Sequence, residues 1–276
     1  MAWLNVLFSR SVLVNAAFAV AFFALFWLVN ARYDVTLHDV QYFNGWTLII
    51  FIAVMMLLTL RKRVVILPFG RVRLWLLIHY YLGFITIGIF LIHTKFRLPD
   101  SPLEWVLWLL FVLVAVSGLF GALITKVIPP RLEARGERIL FVRIPVFRNQ
   151  LAVEAEALAR DSVKDGNTES IAKLYVDLLG DFFARPRNIL AHLQASNVPL
   201  ARILGELTSI ERYLDDAGKQ RAAKMRDLVE AKDNLDFQYA NAGLLRLWLF
   251  LHIPSTYAML VTVVVHVVLA YAFSTR

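Results

Sequence analysis

The sequence predicts an all-α membrane protein with five transmembrane helices and one mainly helical cytoplasmic insertion. Of the 276 residues, 59% are hydrophobic, whereas soluble domains average about 45–50%. The mean hydropathy is +0.62. Apolar stretches near the length that a helix needs to cross a bilayer, about 20 residues, occur five times. Backbone polar groups in lipid must be satisfied within the segment, so each stretch is expected to be a helix.

The five predicted spans are residues 12–29, 46–60, 74–92, 105–124 and 247–273. The first is interpreted as a retained span rather than a signal peptide, because no small-residue cleavage site follows its end. The chain is thereby divided into three parts. Residues 1–125 hold transmembrane helices one to four, residues 126–245 form the insertion, and residues 246–276 hold transmembrane helix five.

The orientation follows from the loop between the second and third spans. Residues 61–73 contain five basic side chains and no acidic one, and short basic loops stay in the cytoplasm. The N-terminus and the insertion are therefore expected on the cytoplasmic side of the inner membrane. With five crossings, the C-terminus is expected outside. The net charge of +8 needs no nucleic-acid partner, since much of it lies in such loops.

The insertion has helical patterns and no catalytic signature. Pro129 and Pro130 are expected to break the fourth helix, and residues 138–144 alternate like a short strand. Helical periodicity follows at 151–159, at 170–183 and after Pro199. From Gly218 one long helix is expected to run into the fifth span. No phosphate loop, metal-ligand cluster or nucleotide fingerprint occurs, and His192 is expected to be a solvated surface residue.

A seven-residue phrase that ends in histidine occurs twice. It reads RLWLLIH at residues 73–79 and RLWLFLH at 246–252, and a second histidine follows 14 positions after each copy. In a helix, 14 residues rise about 21 Å and return to within about 40° of the starting face. Each of these two spans therefore carries two imidazoles on one side, at two depths. The four histidines are His79, His93, His252 and His266.

The third and fifth spans run parallel, so the topology pairs His79 with His252 near the cytoplasm and His93 with His266 near the outside. The two histidines of one helix are too far apart to share a zinc or copper ion. Two imidazoles that face each other match the axial positions of heme iron, so two non-covalent b-type hemes are predicted. For one isolated histidine, a hydrogen bond to a neighbouring helix is an open alternative. Four in matched positions favour ligation.

Further residues are candidates for contact with the hemes. Gly83 would let a flat macrocycle approach the third span, although packing between helices also selects small residues. Cations at the ends of the two spans would pair with heme propionates, although membrane anchoring and snorkelling also explain them. These cations are Arg73, Arg246, Lys95 and Arg97. No cysteine is present, which excludes disulfides, cysteine-ligated iron–sulfur clusters and covalent heme attachment.

Two helices with this histidine spacing resemble the di-heme cytochrome b superfamily, which includes the b subunit of bc complexes and the ferric-reductase-like transmembrane proteins. The stretch His79-x3-Gly83 is similar to the ferric-reductase pattern. The resemblance spans the second to fifth helices, about half of the chain. It implies a four-helix bundle whose two hemes pass single electrons across the bilayer. No flavin or nicotinamide module and no Pro-Glu-Trp-Tyr motif is present.

The expected function is therefore electron transfer across the membrane, as a subunit of an oxidoreductase complex and with no catalytic residue of its own. The insertion would be a docking platform. The expected partners are a c-type cytochrome outside and an iron–sulfur or flavin protein in the cytoplasm. Two alternatives stay open: a cytochrome b that reacts with a quinone, and a transporter or scaffold whose histidines pair with each other.

Overall fold

A computed structural model describes residues 10–35, 40–63, 70–136, 139–164 and 169–273, and every regular element in these ranges is a helix. The predicted all-α class is confirmed. The chain divides into two compact parts. We name them the bundle unit (Met1–Ala122 with His252–Arg276) and the polar unit (Leu123–Leu251).

Five helices contribute to the bundle unit. They are α1 (Arg10–Val35), α2 (Val40–Arg63), α3 (Val72–His93), the first part of α4 (Pro102–Ala134) and the last part of α10 (Asp216–Phe273). Four of them, α2, α3, α4 and α10, are long and apolar enough to cross a membrane. In α1 the apolar segment found within the described residues is shorter, Val20–Arg32. The count of five spans therefore stays a prediction. Part of the basic loop used for the orientation, residues 64–69, lies outside the described residues.

The core of the bundle unit takes side chains from all five helices: Phe26, Ile52, Ile89, Phe111 and Met259. Large apolar side chains also point outward, as Val116 (59% exposed) and Val261 (66%) do. An apolar exterior around an apolar core suits helices whose surroundings are lipid. Along α3 and α10, these core residues fall between the two histidines of each helix.

Seven helical segments build the polar unit together with the ends of α4 and α10. They are α5 (Ile144–Lys164), α6 (Glu169–Leu174), a π-helical turn (Tyr175–Leu179), α7 (Gly180–Ala184), α8 (Ile189–Leu193), α9 (Val198–Glu211) and the 3-10 turn Phe141–Arg143. Their core includes Ile171, Leu179, Phe183, Leu207 and Met225. The helical patterns predicted at 151–159, at 170–183 and after Pro199 are confirmed. So is the long helix from Gly218 into the last span, since α10 has 58 residues without interruption.

Two local predictions are wrong. The predicted strand at 138–144 is a 3-10 turn followed by α5, and its first residue lies outside the described ranges. A lone strand has no partner for its backbone, and Phe141 instead stacks on Tyr239 with ring centroids 5.2 Å apart. The fourth helix also continues through Pro129 and Pro130 to Ala134, because Ile128 and Leu132 beside the prolines are buried in a cluster with Phe237.

His192 is likewise not at the surface. Only 2% of the residue is exposed, and its Nε2 lies 3.7 Å from Asp233 Oδ1. Burial lowers the pKa of His192, while the carboxylates of Asp233 and Asp236 oppose that shift. The periodicity of a five-residue helix shows no inward face, so the sequence could not reveal this burial.

Candidate functional site

The helices α3 and α10 carry the four repeated histidines. His79 and His93 lie on α3, while His252 and His266 lie on α10. Over 14 residues each pair is separated by about 21 Å along its helix axis. Two levels result, which we name the His79 level and the His93 level after the histidine that α3 supplies.

At the His79 level the two predicted partners lie next to each other. The ring centroids of His79 and His252 are 6.5 Å apart, and the ring planes meet at 77°. If each metal–nitrogen bond is about 2 Å, two imidazoles on opposite sides of one metal ion have centroids about 6 Å apart. The observed separation therefore fits one iron between the two rings, and the structure brings together the pair that the topology predicts.

Three of the four histidines have an oxygen acceptor at Nδ1. His79 Nδ1 lies 3.3 Å from the carbonyl oxygen of Met55, and His93 Nδ1 lies 3.1 Å from that of Gln41. A carbonyl only accepts, so Nδ1 donates in both rings. Nε2 then bears the lone pair that a metal would bind. Metal-ligating histidines characteristically donate their other ring N–H in this way.

The Ser117 hydroxyl lies at the corresponding nitrogen of His252. Its Oγ lies 2.7 Å from His252 Nδ1 and 2.9 Å from the carbonyl oxygen of Val114. The hydroxyl has one hydrogen, and the carbonyl can only accept it. This arrangement is compatible with the His252 tautomer in which Nδ1–H donates to the serine oxygen and Nε2 has the lone pair.

At the His93 level the two predicted partners line one cavity of about 520 Å³. His93 and His266 are both in its wall, and so are the core side chains Phe90, Phe111 and Met259. The volume lies within the range of about 300–1,000 Å³ that is usual for ligand and cofactor sites. Two hydrogen bonds join α2 to α10 beside it: Trp46 Nε1 donates to the Tyr271 hydroxyl (2.8 Å), and the Tyr42 hydroxyl donates to the Ala270 carbonyl (3.4 Å).

Two of the four predicted cations belong to this cavity, since Lys95 and Arg97 both line it. They follow the end of α3, where Lys95 (φ 52°) and Phe96 (φ 57°) both adopt the left-handed conformation. Such a conformation costs about 1–3 kcal/mol for a non-glycine residue and is concentrated at ligand sites. The turn holds both cations beside His93.

The other two cations are placed differently. Arg73 is exposed in the first turn of α3. Arg246 belongs to the polar unit, where its guanidinium lies 4.3 Å from the centroid of the Phe141 ring. The predicted contact of these two arginines with a heme stays a prediction.

Glycines allow close approach at both levels. A Cβ added at Gly45 would lie 3.3 Å from His93 Cε1, and one at Gly118 would lie 3.6 Å from His252 Cε1. The predicted site residue Gly83 faces Met55, whose Sδ would be 3.9 Å from an added Cβ. Gly83 thus lies against the α2 residue whose carbonyl binds His79. Gly88 instead packs against the ring of Phe23.

Three residues of the site were not predicted from the sequence: Gly45 and the backbone acceptors at Gln41 and Met55. A carbonyl has no signature in a sequence, because every residue has one. Gly45 does have a signal in the sequence. It immediately precedes the second predicted span, and no other glycine occurs in the first turn of that span. Within the described residues no group of three or more histidine, cysteine or acidic side chains could hold a metal ion.

Comparison with known proteins adds no neighbour, since no protein-family model, curated protein or solved structure matches this chain. The resemblance to di-heme cytochromes b therefore depends on the histidine spacing and the His79-x3-Gly83 stretch of the sequence.

Proposed function

We propose that this protein is a membrane-embedded di-heme b-type cytochrome that transfers electrons across the bilayer between partner redox proteins. One observation supports this proposal above the others: the 6.5 Å separation of the His79 and His252 rings. Separate support comes from the oxygen atom that lies within hydrogen-bond distance of each Nδ1. A bis-histidine iron site needs both features.

The residues of the His79 level would hold one heme. His79 and His252 would hold its iron through Nε2, because the Met55 carbonyl and the Ser117 hydroxyl bind the other nitrogens. These acceptors also fix the orientation of each ring and raise the basicity of the ligand nitrogen.

The residues of the His93 level would hold the second heme. His93 and His266 would hold its iron, and the cavity that they share has the polar rim that an amphiphilic cofactor requires. Lys95 and Arg97 would pair with its propionates, while Phe90, Phe111 and Met259 would exclude water from its apolar face. When bound, the two hemes would supply one-electron redox centres at two depths of the bilayer.

The proposed orientation of the protein in the membrane follows from the basic loop between α2 and α3. The His79 level would face the cytoplasm, with the N-terminus and residues 126–245, and the His93 level would face the outside, with the C-terminus. The corresponding partners are an iron–sulfur or flavin protein in the cytoplasm and a c-type cytochrome outside. The protein would thus be the electron-transfer subunit of a complex rather than an enzyme by itself.

A visible spectrum and a heme assay of the purified protein test the proposal. Soret and α bands, with two hemes per chain that acid acetone extracts, are expected. A colourless protein that folds and inserts in heme-supplied cells would refute the proposal. One heme per chain would refute its di-heme form. As a matched control, His192→Phe removes a buried histidine outside the repeated pairs and is expected to retain both hemes.

A further inference from the structure

One segment of the polar unit exposes three apolar side chains that are close together in the chain. Leu140 is 68% exposed, Val142 74% and Val146 57%, and all lie within seven residues of one another. Single exposed apolar side chains are ordinary on soluble surfaces, but clusters mark interaction sites. We name residues 139–147 the interfacial segment.

Phe141 attaches the interfacial segment to α10. Its ring is stacked on Tyr239, with centroids 5.2 Å apart and planes at 14°. The same ring lies 4.3 Å from the Arg246 guanidinium and 3.7 Å from the Cβ position of Gly243. A hydrogen bond of 2.8 Å from the Ile139 N–H to Gln238 Oε1 adds a second attachment. The segment therefore lies beside residues 238–246 of α10.

This part of α10 directly precedes its apolar stretch. Arg246 is the last charged residue before residues 247–273, which contain none, and Leu247 (66% exposed) and Phe250 (78%) already present apolar side chains. From Gly243 to Leu247 the helix rises about 6 Å. The headgroup layer on each side of a bilayer is of similar thickness, about 5–8 Å. If α10 crosses the membrane from Leu247, the interfacial segment lies at headgroup depth.

The charge of the segment suits the same surroundings. Arg143 is exposed, Arg246 lies over Phe141, and no acidic residue occurs from 139 to 153. Apolar side chains mixed with arginines and without carboxylates are typical of chain that lies in the interface of an anionic membrane.

We propose that the interfacial segment is a membrane-surface anchor whose partner is anionic phospholipid. Leu140, Val142 and Val146 insert at the boundary between headgroups and acyl chains, and Arg143 binds lipid phosphate. The bond to lipid supports the base of α10 where it enters the bilayer. The inference needs α10 to cross a membrane but does not need heme, so either proposal can fail without the other.

The absence of cysteine makes the test direct, since any introduced cysteine is the only one to be labelled. Val142→Cys would be labelled with a fluorophore in the full-length protein, reconstituted into nanodiscs of phosphatidylcholine and phosphatidylglycerol. The matched control is Val176→Cys, because Val176 is similarly exposed (79%) in the same unit. Quenchers carried by the lipid chains and a water-soluble quencher would then be compared at the two sites.

Lipid-borne quencher is expected to reduce the emission at position 142 and to leave position 176 at its background level, with the reverse order for the aqueous quencher. In discs of phosphatidylcholine alone, and in the Arg143→Gln variant, quenching at position 142 is expected to fall. Equal aqueous quenching at both positions would overturn the proposal and make the segment a surface for a protein partner. If lipid quenching at position 142 changed neither with the lipid charge nor with the Arg143→Gln substitution, the proposed specificity for anionic lipid would be wrong.

Discussion

Three of the four repeated histidines of the bundle unit differ from His192 of the polar unit in how their ring nitrogens are bound. His79, His93 and His252 each have a neutral oxygen at Nδ1. In the described structure neither ring nitrogen of His192 makes a hydrogen bond, and its nearest carboxylate, on Asp233, is 3.7 Å away. His192 is also the more deeply buried, at 2% exposure.

The difference shows that burial alone does not identify a metal ligand. A ligating histidine needs one nitrogen held by an acceptor and a second ligand at the right distance. In the proposed heme site, His79 and His252 would meet both conditions. His192 lies instead among charges, which include the ion pair of Arg135 with Asp233 (3.1 Å) and that of Lys232 with Asp236 (2.5 Å).

Substitution of one of the proposed histidine ligands tests this contrast, and it has the largest expected effect. His79→Ala or His252→Ala is expected to abolish one heme and to leave the other, because in the proposed arrangement each heme would have its own pair of ligands. His93→Ala or His266→Ala is expected to abolish the other heme. Heme content and the split of the α band measure the losses. Retention of both hemes after any of these changes would contradict the pairing. Loss of the same heme in the His79→Ala and His266→Ala variants would also contradict it.

Removal of the acceptor rather than the ligand is expected to give an intermediate effect. Ser117→Ala deletes the hydroxyl that accepts from His252 Nδ1. Loss of such an outer contact weakens metal binding about 10–100-fold. Heme titration of the purified protein measures the affinity of the His79 level, and Ser117→Thr is expected to restore it.

Thr256→Val is the matched control for Ser117→Ala. Thr256 also binds His252, but its hydroxyl donates to the backbone carbonyl (2.8 Å) rather than to the ring. An equal loss of affinity in both variants would show that the serine acts through helix packing and not through the tautomer of the ring.

A pair of glycine substitutions separates the two levels. Gly45→Ala places a Cβ 3.3 Å from His93 Cε1, which is tighter than ordinary contact, whereas Gly118→Ala places one at 3.6 Å from His252 Cε1. Overpacking typically costs about 1–3 kcal/mol. We expect Gly45→Ala to weaken heme binding at the His93 level by the low end of this range. Gly118→Ala is expected to be nearly neutral. Heme titration of the two variants side by side tests the ranking, and a larger loss in Gly118→Ala would reverse it.

The cations at the His93 level are expected to contribute less. The double variant Lys95→Gln with Arg97→Gln removes two positive charges from the cavity wall. The reduction potential of the heme at this level should fall, because less positive charge disfavours added electrons. Exposed charge pairs are worth about 0.2–1 kcal/mol each, so the shift should be small and should shrink further in high salt. The heme at the His79 level is the internal control, and an equal shift of both potentials would exclude a local effect.

The smallest expected effect concerns His192. Because burial lowers its pKa below the ordinary value of 6.5, the unfolded chain binds more protons than the folded chain at pH values just below 6.5. Stability of the polar unit should therefore fall as the pH falls through this window. Asp233 and Asp236 reduce the effect, and Arg135 and Lys232 increase it.

Hydrogen exchange of the α8 amides, corrected for the intrinsic pH dependence of exchange, measures this loss locally. His192→Phe fills the same space without a titrating group, so its protection should change less between pH 7 and pH 5 than that of the native protein. An equal loss of protection in both would assign the acid sensitivity to other groups.

Several features of the molecule could be predicted from the sequence, because they depend on residues close together in the chain. The apolar stretches predict helices since lipid leaves the backbone no other partner. The 14-residue spacing places His79 and His93 on one face of α3, and His252 and His266 on one face of α10, by helix geometry alone. The uninterrupted run after Gly218 likewise predicts α10.

Features that depend on distant residues were decided by the tertiary structure. Met55 and Gln41 bind histidines through carbonyl groups, which no side-chain pattern reveals. Pro129 remains within α4 because the side chains beside it pack on Phe237, and packing outweighs local propensity. His192 is buried against α10, where its ring lies 6.1 Å from that of Phe237 and 3.7 Å from the Asp233 carboxylate. A sequence pattern records the neighbours along a helix, whereas the partner of a ring nitrogen comes from another helix whose position only packing determines.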